Sequence, residues 1–115
     1  MKICIPVLED QGLESQVSAH FGSAPLFMLV DTEAGSCRAV PNSNAHHGHG
    51  MCAPLDALRG ERFDSLVVAG IGQGASNRLQ AAGIAVLRTD QHTVGEVVAA
   101  LRAGTLQPLR PGETC

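Results

Sequence analysis

The segment "NSNAHHGHGMC", residues 42–52, holds His46, His47, His49 and Cys52, three of the five histidines and one of the four cysteines of the chain. His46, His49 and Cys52 are spaced three apart, and Gly48 and Gly50 among them let the backbone wrap. Imidazole and thiolate are borderline-to-soft donors, suited to zinc, copper, iron and iron–sulfur species rather than to magnesium or calcium. Cys52 stands just before an expected helix start, where the helix dipole lowers a thiol's pKa and favours the ligating thiolate. A solvated polar loop accounts for one idle histidine. A glycine-spaced cluster of three, with a cysteine, reads as one wall of a site for a metal or a metal–sulfur cluster.

Two further stretches carry chemistry. In "AGIGQGAS", Gly70, Gly72 and Gly74 follow an expected strand and open an expected helix. Glycines there expose backbone N–H groups at the positive end of the helix, where an anion is held readily. The spacing is neither GxGxxG nor a Walker A motif. It suits generic anion cradling, of a carboxylate or of a cluster's sulfides, and equally a tight turn that needs glycine for steric reasons. In "SAHFGSAP", His20 precedes a strand, Phe21 packs inward and Gly22 lets the chain turn. His92 precedes a helix cap at Thr93. Cys4 and Cys37 fall within expected strands and read as small apolar core residues, while the sequence assigns Cys115 no role. Catalysis finds no support: GxSxG is missing, and Glu9, Asp10, Glu14, Asp31, Asp64 and Asp90 form no evident carboxylate pair.

These residues need a frame to bring them together. The near-continuous apolar run "KICIPVL" at residues 2–8 has the pattern of a strand buried on both faces. Pro6 within it donates to no ladder, so pairing must loosen or bulge there. Residues 26–32 and 36–40 read as a hairpin around Ala34 and Gly35. Residues 53–59 read as a short helix between Pro54 and Gly60. Residues 65–70 and 84–88 read as strands around a helix carrying Ala75, Leu79 and Ala82, with Gly83 as its stop. Thr93 and Glu96 have the spacing of a capping box. Behind them Val94, Val97, Val98 and Leu101 form one helical face that ends at Gly104.

The order β-β-β-α-β-α-β-α predicts a five-stranded mixed sheet in a three-layer α/β/α domain over residues 1–105, with residues 106–115 as a frayed tail. In such a sheet, ligand sites form beyond the carboxyl ends of the parallel strands. The loops expected at that edge contain all five histidines.

Bulk composition narrows the classes further. With 44% hydrophobic residues and a net charge of −3, the 115 residues describe one globular domain. No Trp, no Tyr and three Phe, with no basic stripe, argue against nucleic acid as a partner. No run approaches the roughly 20 apolar residues of a membrane span. The first residues turn acidic too soon for a signal peptide, so a cytoplasmic location with reduced thiols is expected.

The stretches "KICIPV", "VSAHFGSAPLFMLVD", "HHGHGMC", "VVAGIGQGA", "LQAAGIAV" and "TVGEVVAALRAGTL" occur in the order in which the nitrogenase iron–molybdenum cofactor biosynthesis (dinitrogenase accessory factor) family has them. The chain resembles that family from Lys2 to about Gly104. The resemblance implies a ribonuclease-H-like α/β/α fold with strand order 3-2-1-4-5 and strand 2 antiparallel. It further implies non-catalytic binding or carriage of an iron–molybdenum or other metal–sulfur cluster, with cofactor-assembly proteins as donor and acceptor. It points to His20 in "HFG", to the His/Cys loop and to the "GIGQG" turn; Ser23 stands where the family often has Arg. A single transition-metal ion in the His/Cys loop is the alternative cargo. The alternative function is a nucleotide or small-anion module built on "GIGQG".

Overall fold

The computed structural model describes residues 2–21, 24–41, 63–71, 73–81 and 83–108. The strands are β1 (Lys2–Val7), β2 (Leu26–Asp31), β3 (Ser36–Pro41), β4 (Ser65–Val68), β5 (Ala85–Arg88) and β6 (Gln107–Pro108). The helices are α1 (Gln73–Ala81) and α2 (Val94–Ala103), with a 3-10 turn at Gly12–Glu14. The strands form one sheet of order β3-β2-β1-β4-β5-β6. β1 is parallel to β4, and β4 to β5, while β2 is antiparallel to both of its neighbours. The expected order 3-2-1-4-5 is therefore present.

The central strands are buried on both faces, and successive side chains sort the core into two layers. Cys4, Phe27, Leu66, Val68 and Val86 face one side, where Phe21, Ile71 and Leu79 of α1 close over them. Ile3, Ile5, Val7, Met28, Val30 and Val67 face the other, under Val94, Val97 and Val98 of α2. Side chains alternate because the strand period is two. Both faces are apolar because each must receive a helix, which gives the three layers.

α2 forms where its caps dictate. Thr93 Oγ1 accepts from the Glu96 amide at 3.3 Å, and Gly104 ends the helix in the left-handed region at φ 73°. Opposite it, the β2–β3 turn is closed by the Gly35 amide donating to the Asp31 carbonyl at 2.8 Å, with Gly35 at φ +71°. Among the described residues no helix is long and apolar enough to cross a membrane.

Two expectations change. Pro6 interrupts pairing on one side only. The β1–β2 register runs unbroken through Pro6↔Phe27, whereas the β1–β4 register is Ile3↔Ser65 and Cys4↔Leu66. A strand residue points its N–H and C=O to the same side. The Pro6 carbonyl accepts from Ser18 N–H at 2.8 Å, so the missing donor faces that side and the β2 ladder loses nothing. Second, residues 107 and 108 were expected to fray, but they pair antiparallel with β5 through Leu87↔Pro108 and Arg88↔Gln107. The chain turns at Gly104, and its return covers the edge that β5 would otherwise expose. The helix expected at residues 53–59 lies outside the described residues.

Candidate functional site

The carboxyl edge of β1 is built differently from the rest of the sheet. Beyond Cys4, the side of β1 that faces β4 is taken over by residues 15–18, which form a strap. Val7 and Val17 make an antiparallel bridge, with Leu8 N–H donating to Gln16 O at 2.9 Å and Ser18 N–H to Pro6 O at 2.8 Å. On its other side the strap bridges Gln16 to Thr93. There Val17 N–H donates to His92 O at 2.8 Å and Val94 N–H to Ser15 O at 3.0 Å. The strap is thus paired on both sides, between the end of β1 and the start of α2.

Its start is fixed by two side-chain acceptors, one of them buried. Ser15 is fully buried, and its Oγ accepts from the Gln11 amide at 2.7 Å. The Glu9 carboxylate accepts from the Gln16 amide at 2.6 Å. Each such bond satisfies a backbone donor that the turn would otherwise leave unpaired.

After the strap the chain crosses to β4. Phe21 N–H donates to Gly70 O at 2.9 Å, and the Phe21 ring is 1% exposed, 5.3 Å from the Phe27 ring between centroids. His20 is therefore carried at the carboxyl edge, exposed, one residue from a buried anchor that reaches the glycine turn after β4. The predicted neighbourhood of His20 and Gly70 is present. His92 is exposed at the same edge, its carbonyl held by the strap.

The glycine turn begins with buried Gly70 and Ile71. Helix α1 starts at Gln73, one residue earlier than the glycine pattern suggests, so Gly74 lies in the first turn. The backbone N–H groups of a helix's first turn have no partner within the helix, which suits such a turn to an anion.

Of the other expected site residues, Gly22, His46, His47, His49, Cys52 and Gly72 lie outside the described residues. The structure does fix where the chain departs toward the His/Cys loop. β3 is parallel to β1 and ends at Pro41, in register with Leu26 and through it with Val7. That departure point is on the carboxyl edge, the edge that holds His20 and Gly70. Among the described residues no three His, Cys, Asp or Glu side chains group as a metal site. Cys4 is buried in the core, and Cys37 is half-buried under α2, in the packing roles expected of them.

The strap itself is what sequence reasoning missed. Residues 9–25 read as a polar loop. The one signal was the isolated Val17 and Phe21 in a polar setting, too short a pattern to name a strand.

Comparison with known proteins gives a consistent result. The family model described as "Dinitrogenase iron-molybdenum cofactor" matches residues 1–104. The NMR structure of a NifB-like protein of the DUF35 family from Thermotoga is 32% identical. It superposes with a TM-score of 0.77, over 96% of this chain and 98% of the other. The apo form of the orange protein from Desulfovibrio gigas is 26% identical, with a TM-score of 0.83 over 95% and 96% of the two chains. A dinitrogenase-type protein from Methanocaldococcus jannaschii shares the fold at 14% identity and a TM-score of 0.72, over 95% and 94%. No curated protein matches the sequence.

Proposed function

The chain belongs to the dinitrogenase iron-molybdenum cofactor family, and on that premise we propose that it binds a metal–sulfur cluster and carries it between cofactor-assembly proteins without catalysing a reaction. Membership connects the chain with iron–molybdenum cofactor biosynthesis; the cargo and the carrier role are this reading's own. The observation that carries it is the convergence at one sheet edge. The His20 strap, the glycine turn at Gly70 and the departure point of the His/Cys loop all lie beyond the carboxyl ends of the parallel strands.

In this reading Cys52 and one or more of His46, His47 and His49 ligate the cargo, and His20 approaches from the strap. The amides from Gly70 to Gly74 face its anionic sulfides, and Gly22 lets the chain turn beside it. The donor set fits: thiolate and imidazole bind iron and other soft or borderline metals, and N–H groups at a helix start favour negative charge. An open edge also suits release, since a closed tetrahedral site would serve structure alone.

The test is to purify the protein anaerobically without a His-tag and to measure metals and acid-labile sulfide per chain. Iron or molybdenum with sulfide supports a cluster carrier. A transition metal without sulfide shifts the cargo to a single ion in the His/Cys loop. Cys52→Ala is expected to abolish stoichiometric binding while the circular dichroism stays native. Unchanged metal content in that variant would remove the site. Thermal stabilisation by simple anions, untouched by Cys52→Ala, would instead favour an anion module on the glycine turn.

A further inference from the structure

We propose that the groove between the β2–β3 hairpin and α2 binds a free aliphatic α-amino acid. The site does not rest on the carrier reading, and none of the residues assigned to the cargo lines it. Gly95, Val98, Ala99 and Arg102 recur at i, i+3, i+4 and i+7, so they form one stripe of α2. Across the groove stand Val30, Asp31 and Cys37 of the hairpin. Val30 and Val98 are buried and make an apolar floor, while Leu13, 53% exposed, forms a lip. Gly95 is what brings that lip close: a Cβ there would meet Leu13 O at 3.2 Å. The cavity is about 180 Å³. A cavity of about 150 Å³ holds one benzene ring, so this one has room for one branched aliphatic side chain and little more.

Two opposite charges face the same groove without neutralising each other. Arg102 Nη2 donates to Thr32 O at 2.8 Å, which holds the guanidinium against the hairpin. A guanidinium has five N–H donors, and among the described residues Arg102 meets no other acceptor. The amides of Glu33, at 3.0 Å, and Ala34, at 3.1 Å, both donate to Oδ1 of Asp31. Its Oδ2 therefore meets no donor among the described residues, and Asp31 and Arg102 form no ion pair. Lys2 acts on Asp31 through its charge alone. A carboxylate matches the fork of a guanidinium, and an ammonium offers three donors to a carboxylate. An apolar acid would leave Asp31 facing an anion, and an apolar amine would leave Arg102 facing a cation. An aliphatic α-amino acid supplies both charges and the side chain for the floor.

Leucine is the probe, added to the full chain. One readout is calorimetric titration. The other is the rate at which iodoacetamide alkylates Cys37, followed on its own peptide by mass spectrometry. Cys37 is a half-buried free thiol in the wall of the groove, so an occupant shields it. Leucine is expected to bind saturably and to slow that alkylation several-fold. The same skeleton without the ammonium, 4-methylpentanoate, and without the carboxylate, 3-methylbutylamine, should each bind about tenfold more weakly, the loss of roughly one charged hydrogen bond. Arg102→Gln should weaken leucine binding by about the same factor. Ala99→Leu puts a good helix former at an exposed position of α2 and fills the groove. It should abolish leucine binding and leave the unfolding midpoint near that of the parent.

No saturable heat from leucine at millimolar concentration would overturn the site. Acid or amine binding as tightly as leucine would overturn the pairing of Arg102 and Asp31 with a zwitterion. Heat without protection of Cys37 would put leucine elsewhere on the chain and sink the proposal equally. If Arg102→Gln does not fold, Ala99→Leu decides alone: leucine binding that survives a filled groove is not binding in the groove.

Discussion

The two edges of the sheet are held by the same kinds of bond and put to different uses. At the amino edge, Lys2 N–H donates to the Asp64 carboxylate at 2.8 Å and Asp64 N–H returns to Lys2 O at 2.7 Å. Arg102 reaches across to the Thr32 carbonyl at 2.8 Å, and Asp31 closes the hairpin. These side chains bond to the backbone they tie down. At the carboxyl edge, the strap is tied by its own backbone, by Ser15 and Ser18 and by the Glu9 carboxylate. The side chains of His20 and His92, both histidines among the described residues, are left exposed. An edge braced mainly by backbone pairing and small hydroxyls, with one carboxylate, presents its histidines at the surface; at the amino edge the charged side chains themselves do the bracing. The display edge is also where β4 and β5 run out parallel, which is where an α/β sheet leaves a crevice.

Removing the buried anchor of the display edge is the strongest way to break that contrast. Phe21 is 1% exposed and packs on Phe27. Phe21→Ala is expected to destabilise the fold by about 3–5 kcal/mol, read from urea unfolding. It should also reduce cargo binding at temperatures where the protein remains folded, because the strap keeps its backbone bond to Gly70 but loses the buried ring that anchors it. A variant that loses the stability but binds unchanged would show that the strap does not position anything for the cargo.

A smaller test addresses the other border of the strap. Thr93 caps α2 through Glu96 and pairs with Gln16. Thr93→Ala removes the cap and keeps the backbone bridge, so stability is expected to fall by about 1 kcal/mol with little change in binding. If binding falls as steeply as for Phe21→Ala, the contrast sharpens: the α2 start would then belong to the site and not only to its support.

How much of this was legible in the sequence follows from range of interaction. The α2 caps, the hairpin glycine and the apolar strand runs are local signals, and Thr93, Gly35 and residues 65–68 took positions within those the signals assign. The alternation of strand with helix pointed to a mixed sheet in three layers, while the strand order came from the resemblance to the family. The strap was not legible, because its pairing depends on which strand Pro6 leaves unpaired, a fact about two distant segments at once. The β6 pairing was missed for the same reason: residues 107–108 find β5 only after the Gly104 turn has aimed them. Of the candidate site, the sequence identified the edge and the neighbours His20 and Gly70. It did not identify the hydrogen bonds of Ser18 with the His20 backbone, because they join residues that look like any polar loop.

The smallest expected effect lies at the amino edge, where charge is spent on structure. The Ala34 amide, with help from that of Glu33, holds the Asp31 carboxyl below its ordinary value of 3.8, against the opposing effect of desolvation. A carboxyl whose pKa is lower in the folded chain binds fewer protons there than in the unfolded chain at the same acidic pH. Its contribution is therefore present in full above the unfolded value and is lost as pH falls through that value and then through the folded one. Asp31→Asn keeps an oxygen for the same two amides and does not titrate. The difference in unfolding midpoint between parent and variant is expected to be constant above about pH 5 and to narrow as pH falls toward about 2. Cargo binding measured at neutral pH should be the same in both proteins. A gap that stays constant through the acid range would remove Asp31 as a contributor to the pH dependence. A change in binding would mean that the two edges communicate, and the division between a bracing edge and a displaying edge would have to be given up.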